Sequence, residues 1–94
     1  MDALTRLDLQ ALVLDIWQKS GDLTILFVTH DVEEAVYLSD RIAVLTRRAA
    51  SVSRIVAPGL PRPRHPVDSR ENPVFLRHRH DLLNTLLYRS HGNL

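Results

Sequence analysis

The sequence predicts an α/β fold in which an N-terminal helix, a βαβ unit, a hairpin strand and a C-terminal helix follow one another. Three observations support this prediction: a helical pattern over residues 3–19, a continuous apolar run over 23–29, and a second helical pattern over 73–90. The chain has 94 residues, of which 45% are hydrophobic and 24% charged. This length and composition suit one small globular domain and not two.

Residues 3–19 form the first predicted helix. Asp2 is a favourable N-cap, no Gly or Pro interrupts the segment, and Gly21 follows where a helix commonly ends. Apolar side chains fall on two nearly opposite stripes, whereas an ordinary surface helix has one. The pattern therefore predicts contact with other structure on both sides of this helix.

The βαβ unit begins with residues 23–29, LTILFVT, whose apolar and β-branched composition is typical of a strand buried on both faces. A short helix over 31–39 follows, with Asp31 and Glu34 in the spacing of a capping box. A second strand over 41–46 completes the unit. A third strand over 52–57 is predicted to pair with the second through the polar connection 47–51.

The remainder of the chain is predicted to contain a connector and a helix. Residues 58–66 include four prolines, which disfavour regular structure and favour an extended, polyproline-like path. Pro73 lies near the first turn of a final helix that runs to about Ser90. The predicted units are residues 1–57 as the core, 58–72 as a Pro/Arg-rich connector and 73–94 as the C-terminal helix.

Composition excludes several classes of function. The chain has no cysteine, which excludes disulfides, thiolate metal sites and cysteine nucleophiles. It shows no secretory signal and no apolar run of the roughly 20 residues that a membrane helix needs, so a cytosolic protein is expected. The net charge of +1 is uneven, because residues 1–47 hold four Lys/Arg against eight Asp/Glu and residues 48–94 hold eight Arg against three Asp/Glu.

His30 stands where the predicted buried strand ends and the next helix begins. Open α/β sheets place ligand sites at this edge, and the start of a helix presents N–H groups that favour an anion such as phosphate. An imidazole there can donate a hydrogen bond to a phosphate oxygen or orient a water molecule. The simpler alternative is a histidine that only caps or packs at a strand end.

The amino-acid sequence around His30 resembles that of a known family. FVTHDVEEA followed by RIAVL resembles the switch-histidine region of ATP-binding-cassette (ABC) transporter ATPases, and DALTRLDLQ resembles the stretch after their Walker B motif, beginning within the D-loop. DALTR and LPRPR are similar to the subfamily that energises import of nitrate, sulfonates and taurine. The chain departs from that subfamily at RAASV, residues 48–52, where a Pro-Gly turn is usual. The fold implied by the resemblance is a partial P-loop NTPase-type fold that lacks its Walker A half.

The resemblance implies roles for two residues. His30 corresponds to the switch histidine, which contacts the γ-phosphate and helps to place the hydrolytic water. Asp2 corresponds to the D-loop aspartate, which helps to connect the two nucleotide sites of an ATPase dimer. The implied cofactors are ATP and Mg²⁺ in the intact subunit. The implied partners are a second ATPase subunit and transmembrane permease subunits, at the cytoplasmic face of the membrane.

The sequence lacks the parts that would hold a nucleotide. It contains no G-x-x-x-x-G-K-[S/T] motif, and its only lysine, Lys19, lies on the first predicted helix. Without that loop and its lysine, the chain has nothing to cradle the β- and γ-phosphates. The signature and Walker B motifs are also missing from it. The interpretation is therefore a C-terminal fragment of an importer's ATP-binding subunit, inactive alone and without tight nucleotide binding.

A second class of function stays open, namely a small non-catalytic interaction module whose basic half docks protein or nucleic acid. The arginines of this basic half lack the interleaved aromatic residues of a dedicated nucleic-acid-binding face. A solvated or protein-docking face is therefore the preferred interpretation for Arg62, Arg64, Arg70, Arg77 and Arg79. A metal site at His78 and His80, with His65 and His91 as helpers, is disfavoured because residues two apart on a helix point to different sides. Trp17 is interpreted as a core residue. A triad of Ser39, His30 and Asp40 lacks the spacing of a nucleophile elbow.

Overall fold

Four helices and two strands make up the part of the chain that the computed structural model describes, residues 2–45 and 52–90. In chain order they are α1 (Ala3–Ser20), α2 (Val32–Leu38), β1 (Ile42–Leu45), β2 (Val52–Val56), α3 (Asp68–Glu71) and α4 (Pro73–Ser90). The three predicted helices and the second and third predicted strands are confirmed, each to within one residue where the structure describes it. The predicted connection 47–51 lies outside the described residues.

Both helices near the candidate site begin at the aspartates predicted to cap them. Asp2 accepts a hydrogen bond from the Thr5 amide, with an Oδ1–N distance of 2.8 Å, and α1 ends at Gly21, whose φ of 68° suits a residue without Cβ. Asp31 caps α2 by accepting from the amides of Glu33 and Glu34. The capping box is only half formed, because the Glu34 side chain turns to α1.

The predicted hairpin is also confirmed. Strands β1 and β2 pair in antiparallel fashion, with Ile42 opposite Val56 and Leu45 opposite Val52. A bulge interrupts the register between Val44 and Leu45. Val44 and Val56 are buried, so one face of the hairpin packs against the rest of the molecule.

The predicted strand over residues 23–29 is wrong, and with it the βαβ unit. The segment is not a strand in the structure, and Leu26 and Val28 are 90% and 83% exposed. A strand is held by hydrogen bonds to a neighbouring strand, and within residues 2–45 and 52–90 the one sheet consists of β1 and β2 alone. The apolar composition of this segment is typical of a buried strand, but the described residues supply no edge for it to pair with.

The hydrophobic core lies between α2, the hairpin, the connector and α4. Its most buried side chains are Val36 and Phe75, with exposed fractions of 0% and 1%. The buried apolar residues around them are Tyr37, Leu38, Val44, Val56, Leu60 and Leu82. Helix α1 meets this core at its edge, where Leu14 is partly buried, and most of its apolar side chains stay exposed. No helix in the described part of the chain is long and apolar enough to cross a membrane.

Helix α3 is a feature that the sequence pattern does not predict. It follows a turn held by short-range side-chain contacts, in which the His65 Nδ1 accepts hydrogen bonds from the amides of Val67 and Asp68. The Ser69 hydroxyl in turn accepts from the His65 amide at 2.7 Å. These contacts fold the end of the connector back before α4 begins.

Candidate functional site

His30 lies at the surface directly before α2. It occupies a bend between residues 23–29 and the N-cap Asp31, and it is exposed to solvent. The backbone on its two sides is tied together, because the Asp31 amide donates a hydrogen bond to the Thr29 hydroxyl at 3.0 Å. An exposed imidazole on a fixed turn can meet a ligand that approaches from solvent or from another polypeptide.

The amides at the start of α2 are occupied. Asp31 Oδ1 accepts hydrogen bonds from the amides of Glu33 and Glu34, at 3.0 and 3.3 Å. The carboxylates of these three residues also surround the helix start with negative charge, which disfavours an anion. The expectation that this helix start presents free N–H groups to a phosphate is therefore wrong at these two positions, since the capping side chain has taken them.

Asp2 lies at the start of α1, where its carboxylate is exposed. The hydrogen bonds that it accepts from Thr5 lower the pKa of Asp2 below its ordinary value of 3.8. Asp2 and Asp31 both line an open groove of about 530 Å³, whereas His30 is not among its lining residues. The remaining walls of this groove are formed by Ala3, Arg6, Leu7, Gln10, Glu33, Glu34, Pro66, Val67 and Arg70.

Arg6 connects the two elements that carry the candidate residues. Its Nη1 donates to Asp31 Oδ2 at 3.0 Å, and its Nε lies 3.9 Å from Glu34 Oε2. Arg6 is one turn beyond Asp2 on α1, and Asp31 is the residue after His30. The ion pair thus joins the start of α1 to the turn that presents the imidazole.

A buried polar network lies beneath the groove. Gln10 and Glu34 are 3% and 7% exposed, and the Gln10 Nε2 donates to Glu34 Oε2 at 2.9 Å. Arg70 Nη2 donates to Gln10 Oε1 at 3.0 Å, and its guanidinium stacks on the Tyr37 ring with a distance of 4.1 Å to the ring centre. Burial raises the pKa of Tyr37 above its ordinary value. One amide side chain therefore links α1 to both α2 and α3.

The arginines of the connector are not the solvated face that the sequence suggests. The Arg64 side chain is only 1% exposed, and burial together with the charge of Arg62 lowers its pKa to about 10, so that it remains protonated at neutral pH. Arg62 pairs with Asp40 at 3.0 Å. It also covers Trp17, which is half-buried against the guanidinium at 3.9 Å and does not belong to the core.

Sequence reasoning missed Arg6 and Gln10 and misjudged Arg64. Arg6 and Gln10 are four residues apart on α1 and so share one face. This spacing indicates from sequence alone that the two side chains lie close together. The burial of Arg64 could not be predicted in this way, because its partners are backbone carbonyls about 25 residues earlier in the chain.

Two histidines of the second half, His65 and His80, have local partners. His80 Nε2 lies 3.1 Å from the Asn84 side-chain nitrogen, and His65 caps the turn before α3. His91 lies outside the described residues. Within residues 2–45 and 52–90, no group of three or more His, Cys, Asp or Glu side chains is placed to hold a metal ion.

Comparison with known proteins gives a consistent set of relatives, although no protein-family model matches the chain. An uncharacterised ABC transporter ATP-binding protein of Methanocaldococcus jannaschii is 49% identical over 86 residues, which is 92% of this chain and 30% of the relative. The aliphatic sulfonates import ATP-binding protein SsuB of Bacillus licheniformis is 43% identical over 75 residues, 80% of this chain and 28% of the relative.

A third relative also belongs to an import system. The nitrate import ATP-binding protein NrtC of Synechococcus elongatus is 42% identical over 87 residues, which is 92% of this chain and 13% of the relative. The chain therefore spans a third or less of the length of these curated relatives.

Proposed function

Because this chain belongs to the family of ABC transporter ATP-binding proteins, we propose that it forms the C-terminal part of the ATP-binding subunit of an importer. The sulfonate and nitrate importers among its relatives support a transported solute of the nitrate, sulfonate or taurine class. In the intact subunit, binding and hydrolysis of ATP would drive transport across the membrane. The chain alone is expected to hydrolyse no ATP.

We propose that His30 is the group that meets the γ-phosphate. The observation that carries this role is an exposed imidazole, within a segment that matches the family, held on a turn by the hydrogen bond from the Asp31 amide to the Thr29 hydroxyl. The imidazole would donate a hydrogen bond to a phosphate oxygen and orient the attacking water. Phosphoryl transfer depends mainly on such positioning and electrostatic stabilisation.

For Asp2 we propose a role in coupling two nucleotide sites across a dimer of ATPase subunits. Its exposure supports this role, because a carboxylate at the surface is available to a second subunit. The Arg6–Asp31 pair supports it further, since a displacement of the start of α1 would reach the turn beside His30.

ATP and Mg²⁺ need a cradle that the described residues do not provide. The sequence has no glycine-rich loop with a lysine, and Asp31 occupies the amides of Glu33 and Glu34 at the start of α2. The proposed contribution of this chain is therefore limited to His30 and Asp2. We also propose that the intact subunit assembles with a second ATPase subunit and with permease subunits. This complex would lie at the cytoplasmic face of the membrane.

A basic interaction module is less well supported. Three of the arginines that would form its docking face, Arg62, Arg64 and Arg70, are engaged within the chain. The remaining positive charge predicts at most weak, salt-sensitive binding to duplex DNA. Titration of labelled duplex DNA at two salt concentrations separates this function from the first.

A chimeric subunit tests the role of His30. In it, the matching segment of this chain replaces the corresponding 75 residues of the Bacillus licheniformis relative, and hydrolysis of ATP is measured with Mg²⁺ present. We expect the chimera to hydrolyse ATP and His30→Ala to lower kcat by about 100-fold or more, which is the range for loss of a positioned proton-transfer group. His80→Ala, an exposed histidine on α4, is the matched control and should leave kcat unchanged. Full hydrolysis by the His30→Ala chimera would refute the assignment.

A further inference from the structure

The C-terminal end of α2 is held by an arginine from the connector. Arg64 Nη1 donates to the carbonyl oxygen of Tyr37 at 2.6 Å and to that of Val36 at 3.3 Å, and Nη2 donates to the Ser39 carbonyl at 3.4 Å. The Arg64 side chain is 1% exposed, so these bonds are shielded from water. One guanidinium thus serves three carbonyls at one helix end.

The chemistry of a helix end explains why this contact matters. The last carbonyls of a helix have no donors within the helix, and they form the negative end of its dipole. A guanidinium is a cation with five N–H donors in one plane, so it satisfies both needs at once. Helix α2 has seven residues and no basic residue in its own last turn. A helix of this length is not stable alone and depends on tertiary contacts.

Arg62 adds a second contact in the same place. Its Nη2 donates to the Leu38 carbonyl at 3.0 Å, and its Nε donates to Asp40 Oδ1 at 3.0 Å. The same guanidinium stacks on Trp17 of α1. Arg62 and Arg64, together named the arginine clamp, therefore tie the connector to α1 and to the end of α2.

The clamp and the candidate histidine lie at opposite ends of one short, buried helix. Seven residues at about 1.5 Å each separate them by roughly 10 Å. Val36, Tyr37 and Leu38 are all buried, so the helix has little room to move sideways. The clamp holds the C-terminal end of the helix, while the Arg6–Asp31 ion pair holds its start.

From these contacts we infer that Arg64, assisted by Arg62, is a positioning residue for His30, fixing the placement of α2 and thereby of the turn that presents the imidazole. The inference rests on the proposed role of His30. It also assigns a role to the LPRPR segment, residues 60–64, for which the proposed roles of His30 and Asp2 give no explanation.

The test uses the complete 94-residue chain without nucleotide, so that its result does not depend on ATP hydrolysis. Amide hydrogen exchange is compared between α2 and the α4 residues around Phe75 and Leu82, and the imidazole resonances of His30 are recorded by NMR. In Arg64→Gln, we expect exchange in α2 to rise about tenfold relative to α4 and the His30 resonances to shift. Arg64→Lys keeps the charge with fewer donors and should show a smaller rise.

The matched control is Arg54→Gln, since Arg54 is an exposed arginine of β2 that hydrogen-bonds to Thr85 of α4 and not to α2. It should leave both α2 exchange and the His30 resonances unchanged. Equal loss of protection in α2 and α4, with His30 unmoved, would reduce Arg64 to a general stabilising residue and overturn the inference. If Arg64→Gln does not fold, Arg64→Lys decides by the same comparison.

The inference and the proposed function can fail separately. Unchanged α2 exchange in the Arg64 variants would remove the clamp's positioning role while the chimera's loss of activity in His30→Ala still stood. An active His30→Ala chimera would remove the catalytic role, while a selective rise of exchange in α2 would still show that Arg64 holds the helix.

Discussion

Arg6 on α1 and Asp31 at the start of α2 form an ion pair in which the Arg6 Nη1 lies 3.0 Å from Asp31 Oδ2. Asp31 has a second function, because its other oxygen caps α2. One carboxylate thus fixes both the start of the helix and its contact with α1. The turn that carries His30 is held between these two interactions.

The two functions of Asp31 can be separated by substitution. Asp31→Asn keeps an N-cap but loses the charge, so we expect the free energy of unfolding to fall by only about 0.5 kcal/mol, as for a partly exposed ion pair. Asp31→Ala loses both and should cost about 1–2 kcal/mol. Urea unfolding followed by circular dichroism measures the difference. Asp15→Asn, which breaks the exposed Asp15–Lys19 pair, is the control and should change little. Equal costs for Asn and Ala would contradict the capping role.

The cap at Asp2 predicts a pH dependence. Its folded pKa lies below the ordinary value of 3.8, because Thr5 donates hydrogen bonds to the charged carboxylate. The group therefore stabilises α1 fully at pH values above 3.8, and this contribution is lost as the pH falls through the lowered pKa. An NMR titration of the Thr5 amide should show a midpoint below 3.8. In Asp2→Asn, which keeps a capping oxygen without a titrating group, that transition should vanish. A midpoint at or above 3.8 would show that the cap does not favour the charged form.

Gln10 is predicted to be the most sensitive position of the buried network. Gln10→Met keeps the approximate volume of the side chain but removes the hydrogen bonds that Gln10 makes to Glu34 and Arg70. We expect the free energy of unfolding to fall by about 2–3 kcal/mol, the cost of burying unsatisfied polar groups that carry charge. Gln18→Met, an exposed position on the same helix, is the control and should stay within about 0.5 kcal/mol. Similar values for the two variants would mean that the network contributes nothing beyond helix propensity.

Helices α1, α2 and α4 could be predicted from sequence because their signals are local, whereas α3 could not. The caps at Asp2 and Asp31, the glycine after α1 and the proline at the start of α4 each act within a few residues of the helix end they mark. Such signals need no knowledge of the rest of the fold. The sequence pattern places His30 between a predicted strand and the next helix, and of these two elements only the helix is present in the structure.

The features that could not be predicted depend on partners far along the chain. The composition of residues 23–29 expresses a preference for burial, but pairing needs an edge that the described residues do not offer. Arg64 has the same sequence context as a solvated arginine, and only the folded chain brings it to carbonyls of α2. Gln10 lies between these two cases. The sequence predicts which face of α1 it occupies, but it does not predict that its partners are Glu34 and Arg70.

Trp17 gives a direct optical measure of whether the connector is attached to α1, because it is the only tryptophan of the chain. Arg62 covers its ring at 3.9 Å, so Arg62→Ala should expose the indole and shift its fluorescence emission to longer wavelength. We expect the free energy of unfolding to fall by about 1–2 kcal/mol, from loss of the cation–π contact and of the hydrogen bonds to Asp40 and Leu38.

Two further variants identify the cause of that change. Arg62→Lys keeps a positive charge but not the planar guanidinium. It should therefore restore part of the stability and reverse little of the emission shift, because an ammonium group has no planar face to cover the indole ring. Arg77→Ala removes an exposed arginine of α4 and should leave the emission of Trp17 unchanged. The measurement is a urea titration of each variant with the emission maximum recorded at every step. An emission maximum in Arg62→Ala identical to that of the unmodified chain would mean that Arg62 does not cover the indole in solution and does not attach the connector to α1.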